Sequence, residues 1–116
     1  MTHSTPPPPT PSPLLSEFSN DPEMAELIES FTSELPERVQ AILAAVGEGR
    51  VSDLKRLSHK LKGAAGGYGF PTLGEAAGRV EDGLRATADP TTALKAIAED
   101  VRALVDLCTR ASAGKS

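Results

Sequence analysis

The chain has 116 residues, which is room for one domain with one core. With one Tyr, three Phe and no Trp, its apolar residues are mainly Leu, Ala and Val, a composition that suits packed helices better than sheets. A net charge of −4 provides no field to draw nucleic acid or an anionic membrane, and a single cysteine, Cys108, excludes an intramolecular disulfide framework. The N-terminus lacks a basic region followed by an apolar run, and no apolar stretch is long enough to cross a bilayer. A soluble, cytoplasmic protein is expected.

Residues 1–13 read MTHSTPPPPTPSP. Prolines lack amide donors and favour an extended backbone, so residues 1–19 are expected to form a disordered Pro-rich tail or linker. Asn20-Asp21-Pro22-Glu23 then signals a helix start, with a capping side chain, an early proline and acids at the positive dipole end. Its apolar stripe is Met24, Leu27, Ile28, Phe31, Leu35, Val39, Ile42, Leu43 and Val46. The stripe keeps its phase across Pro36, which favours one kinked helix over two. Gly47-Glu48-Gly49 ends it. A second helix is expected from Val51 to about Gly67, stopped by the run Gly66 to Pro71. Thr72, with Glu75 three residues on, can cap a third helix whose stripe is Leu73, Ala76, Ala77, Val80 and Leu84. Asp89-Pro90-Thr91 separates it from a fourth, with stripe Leu94, Ile97, Val101, Leu104, Val105 and Cys108. The expected fold is all-α, an antiparallel up-and-down four-helix bundle over residues 20–112, with a frayed end at 113–116.

The second helix carries the unusual chemistry. At roughly 100° per residue, Leu54, Leu57, Leu61, Ala64, Ala65 and Tyr68 form one buried stripe. His59 falls roughly 160° from the centre of that stripe, on the solvent side. Lys55, Lys62, Gly63 and Gly66 are its neighbours there. An exposed imidazole thus has cations beside it and no bulky side chains in front. The lysines suit an incoming phosphoryl group, and the bare glycines let a partner protein reach the ring.

A hairpin brings in one more residue. His59 stands eleven residues before Phe70, and Glu81 stands eleven after it. If the second and third helices turn back around Gly69-Phe70-Pro71, these two lie side by side. Glu81 sits roughly 85° off its own apolar stripe, where a side chain can lean toward a neighbour. Its carboxylate would accept from Nδ1–H, fix the tautomer and leave Nε2 as the nucleophile. Arg85, one turn on, is a rival partner for Glu81.

His59-Lys60-Leu61-Lys62-Gly63 followed by Gly69 resembles the H-x-L-K-G-x-x-x-x-x-G signature of histidine-containing phosphotransfer domains, the helical intermediates of multistep two-component phosphorelays. The resemblance covers roughly residues 20 to 110, including Leu73-Gly74-Glu75-Ala76-Ala77. It implies that His59 is the phospho-accepting residue, that Lys62 and Gly63 are motif positions, and that Glu81 takes the place of a Gln or Glu that hydrogen-bonds the histidine. The implied partners are receiver domains of response regulators or hybrid histidine kinases. The chain itself is expected to be a monomeric phosphoryl carrier, without kinase activity, cofactor or metal.

Other chemistries fare worse. His3 lies in the tail and no Cys or His accompanies His59, so a metal site lacks ligands. Gly114-Lys115-Ser116 imitates the end of a phosphate loop, but Thr109 stands where its first glycine belongs. Gly67-Tyr68-Gly69 has Thr72 in place of the third glycine of a dinucleotide fingerprint. Cys108 lies on an apolar stripe and is expected in the core. The competing function is a non-catalytic helical adaptor, or a dimerisation module that binds a signalling partner.

Overall fold

The structure is a computed structural model and describes residues 13–113. The Pro-rich run 1–12 and the phosphate-loop imitation at 114–116 lie outside the described residues. Among the described residues the fold is an all-helical bundle: α1 (Ala25–Gly47), α2 (Val51–Gly67), α3 (Pro71–Arg85), the short α4 (Pro90–Ala96) and α5 (Ala98–Ala113). Helix α1 packs on α2 and α5, α3 packs on the same two, and α4 lies against α3 and α5. No helix is long and apolar enough to cross a membrane among the described residues.

Leu35, Ile42, Leu54, Leu61, Leu73, Val80, Leu84, Ile97 and Leu104 are buried in one core. Burial of each such side chain stabilises the fold by roughly 2 kcal/mol before entropy is counted. Phe31 closes one end of that core, stacked on Tyr68 at 5.0 Å and tilted against Phe70 at 5.6 Å. Cys108 is a core residue, and burial pushes its thiol up to about 12, outweighing the opposing charge of Arg38.

Several expectations change in detail. Helix α1 is continuous through Pro36, but it begins at Ala25 and Met24 caps it without a side-chain bond. Asp21 caps only locally, its Oδ1 accepting from the Glu23 amide at 2.9 Å. Leu27 and Leu43, placed on the apolar stripe by spacing, are 49% and 44% exposed, while Thr32 and Ala45 are buried in their stead. Thr72 does not cap α3: Phe70 holds the N-cap and Pro71 the first turn. The ring of Phe70 is held in the aromatic cluster, so tertiary packing sets this start two residues earlier than the capping box allows. The fourth predicted helix is two, broken at Ile97, whose φ of −98° and ψ of 3° leave the helical region. Asp89 caps α4, accepting from the Thr92 amide at 3.3 Å; the Thr92 hydroxyl donates to the same oxygen, and that bond first, with the amide bond second, holds the carboxyl below the usual range.

The largest correction concerns the tail. Residues 14–19 are part of the folded structure and strap the end of the bundle. Leu14 N–H donates to Arg110 O at 2.9 Å, and Glu17 N–H donates to Gly69 O at 2.8 Å. Ser16 is buried; its Oγ donates to Tyr68 O at 2.6 Å and accepts from the Phe18 amide at 2.9 Å. Two of these four bonds join backbone groups alone and Ser16 Oγ makes the other two, so composition alone does not foretell them. Gly69, at φ 84°, allows them: a Cβ there would lie 2.5 Å from Ser16 Oγ and 2.9 Å from Phe18.

A candidate phosphoryl-accepting site on α2 and α3

Helix α2 runs from Val51 to Gly67, and its buried face is Leu54, Ser58, Leu61 and Ala65. This rotation leaves the His59 side chain 69% exposed. Gly63 and Gly66 flank the outer surface, and a Cβ added at either would meet nothing within 4 Å. A partner surface can therefore approach the helix backbone beside the ring.

Helix α3 comes close to α2 because two of its glycines face that helix. A Cβ at Gly74 would lie 3.3 Å from Lys62 O and 3.7 Å from Gly66 N. One turn on, a Cβ at Gly78 would lie 3.5 Å from Cδ of Lys62 and 3.6 Å from its Cε. The lysine stem thus crosses the space that Gly78 leaves open, keeping its ammonium in water. Close packing at these glycines brings the next turn of α3 level with His59. Gly66, Gly74 and Gly78 also line a shallow groove with Lys62, Pro71 and Arg79.

Glu81 stands on that turn. Its side chain is 5% exposed, and its Oε2 lies 2.9 Å from His59 Nδ1. The same oxygen accepts from Arg85 Nη2 at 2.8 Å, while Oε1 lies 4.0 Å from Lys62 Nζ. Burial alone would raise the Glu81 carboxyl, but the charges of His59 and Arg85 outweigh it and hold the group below its ordinary value. A carboxylate is an acceptor only, so Nδ1 must carry its proton toward Glu81, leaving Nε2 to face solvent with its lone pair. In chemical terms the group is an exposed nitrogen nucleophile, oriented from behind and bordered by cations.

The structure thus brings together His59, Lys62 and Glu81, with Gly63 and Gly66 alongside. Lys55, one turn before His59, is half-buried on the same helix and forms no ion pair with this group. Sequence reasoning weighed Arg85 only as a rival to His59 for Glu81; both bonds are present on one oxygen. It also passed over Gly74 and Gly78, although two glycines one turn apart inside a helix signal a close neighbour. Ser58, buried next to the histidine with its Oγ unpaired among the described residues, is off the expected stripe; it takes a buried place one turn after Leu54, while Leu57, Ala64 and Tyr68 are only partly buried.

No group of three or more His, Cys, Asp or Glu is arranged to hold a metal among the described residues. Comparison with curated proteins and with solved structures returned no match. Residues 26–113 match the family model of the Hpt domain, a span that holds α2, α3 and every residue of the site. The chain belongs to the Hpt domain family, whose members are phosphocarrier modules of phosphorelays.

Proposed function

We propose that this chain is a phosphorelay carrier in which Nε2 of His59 accepts a phosphoryl group from the aspartate of one receiver domain and yields it to another. The observation that carries this reading is a 69%-exposed imidazole whose Nδ1 lies 2.9 Å from a buried carboxylate. Hpt domains as a family interact with receiver domains. The finer assignments rest on the residues: His59 as acceptor, Lys62 and Lys55 attracting the phosphoryl oxygens, and Gly63 and Gly66 as the docking surface. An up-and-down arrangement of α1, α2, α3 and α5 would make this face rigid, and for α2 and α3 the opposed order of His59–Glu81 and Lys62–Gly78 contacts supports it. A monomer in the cytoplasm is the matching cellular form.

The Nε2 lone pair attacks phosphorus, forming an N–P bond as the acyl phosphate O–P bond of the donor breaks. The departing electron pair remains on the donor's aspartate carboxylate. The ring gains positive charge while Nδ1–H stays on Glu81, whose negative charge stabilises it. Return to a second aspartate reverses each change. In this reading the phosphoryl group arrives from one partner and leaves to another, so the chain acts as a carrier between them.

His59→Gln tests this. The side chain faces solvent, so the variant should keep its helical circular dichroism and lose phosphate uptake from a phosphorylated receiver. Undiminished uptake would end the proposal. A docking adaptor would differ by binding the receiver in both forms while neither takes phosphate.

A further inference from the structure

Oε2 of Glu81 is a shared oxygen, accepting from His59 Nδ1 at 2.9 Å and from Arg85 Nη2 at 2.8 Å. The carboxylate side chain is 5% exposed, and the arginine that reaches it is 63% exposed, one helical turn further along α3. A buried carboxylate beside an imidazole has two opposed effects. It fixes Nδ1–H and so frees the Nε2 lone pair; its charge also stabilises imidazolium, in which Nε2 holds a proton and cannot attack. A neutral amide in that place would bring only the first effect. A cation on the same oxygen keeps the orientation and weakens the unwanted charge.

We propose that Arg85 is a positioning residue: by sharing Glu81 Oε2 with His59, it aims the carboxylate and offsets its charge, so that the ring presents Nε2 with its lone pair free. The inference rests on His59 being the phosphoryl acceptor and adds a reason why an acidic partner is tolerated behind it. The charged groups one turn from His59, or paired with it or with Glu81, are Glu81 and Arg85 from α3 and Lys55, Arg56 and Lys62 from α2, with Arg56 paired to Asp53 at 3.2 Å. Of the cations, Arg85 is the one within hydrogen-bond distance of the shared oxygen, since Lys62 stands 4.0 Å from the other.

The test uses four versions of the 116-residue chain: wild type, Arg85→Gln, Glu81→Gln and the double variant. Each is incubated with phosphoramidate, a small donor that needs no docking surface, across a pH series. In that reaction the Nε2 lone pair forms the new N–P bond, the donor's P–N bond breaks, and its nitrogen leaves with the electron pair as ammonia. Arg85→Gln should move the pH of half-maximal rate upward by about half a unit and slow uptake below that midpoint about threefold. In the Glu81→Gln background the same substitution should change neither. Nitrogen-15 spectra of His59 give a second readout: more imidazolium at neutral pH in Arg85→Gln, and none of that increase when Glu81 is also Gln.

An unchanged pH profile and unchanged nitrogen spectrum in Arg85→Gln would overturn the proposal. So would an equal loss in both backgrounds, because Arg85 would then act on the ring or on the phosphoryl group without Glu81. If the wild type took no phosphate on His59, the reading of its function would fail. The nitrogen spectra, which require no transfer, would still decide the role of Arg85.

Discussion

Gly69→Ala and Gly67→Ala, two residues apart, should have effects of opposite sign. At Gly69 the φ of 84° lies in the left-handed region, where a Cβ costs roughly 1 kcal/mol. The new methyl would also stand 2.5 Å from Ser16 Oγ and 3.0 Å from the Glu17 amide nitrogen, a backbone atom that cannot swing aside. Relief of that clash displaces the strap and breaks Ser16 Oγ to Tyr68 O and Glu17 N–H to Gly69 O. Each lost bond is worth roughly 1 kcal/mol. The sum is about 3 kcal/mol, or a fall in Tm of roughly 15 °C for a domain of this size. Gly67 is the last residue of α2, and a Cβ there would meet nothing within 4 Å. Alanine should gain roughly 0.5 kcal/mol there through helix propensity and a less flexible unfolded chain. Urea denaturation followed by far-ultraviolet circular dichroism measures both. A Gly69→Ala loss under about 1 kcal/mol, or equal effects at the two positions, would refute the strap as a stabilising contact.

Two further outcomes concern the site. Gly63→Glu places a bulky anion in open space beside His59, so it should weaken receiver docking at least about tenfold while leaving stability within about 1 kcal/mol; unchanged transfer kinetics would contradict close approach. The Glu81 carboxyl is held below its ordinary value of 4.5, so its contribution to stability is present above that pH and lost as pH falls through the lower folded value. Wild type should therefore lose Tm relative to Glu81→Gln as the pH is taken from neutral to below 4.5, and a pH-independent difference between the two would show the carboxylate to be unstabilised.

What was legible in the sequence follows from which forces were local. The extent of α2, its exposed His59 and the buried stripe of α3 come from periodicity, because each helix buries one continuous face. The His59–Glu81 contact came from counting residues either side of a tight turn, and the short connection 68–70 makes that count valid. The break at Ile97 was invisible because Ala93, Ile97, Val101, Leu104 and Cys108 stay in helical phase across it. The strap at 14–19 was invisible for a different reason: its bonds tie it to Tyr68, Gly69 and Arg110, far away in sequence. Leu27 and Leu43 fit the spacing, yet the stripe they extended was wider than the surface that α2 and α5 cover. Arg85 was seen as a competitor because side-chain spacing cannot tell whether a carboxylate oxygen takes one donor or two.

The measurement that bears most directly on the central claim is the atom to which phosphorus attaches. The chain, labelled with nitrogen-15 in histidine, is incubated with a phosphorylated receiver domain and examined by phosphorus and nitrogen NMR. The predicted result is a single phosphohistidine, at residue 59, with phosphorus coupled to Nε2 and a proton retained on Nδ1. Phosphorus on Nδ1, on another residue, or absent from the chain would contradict it.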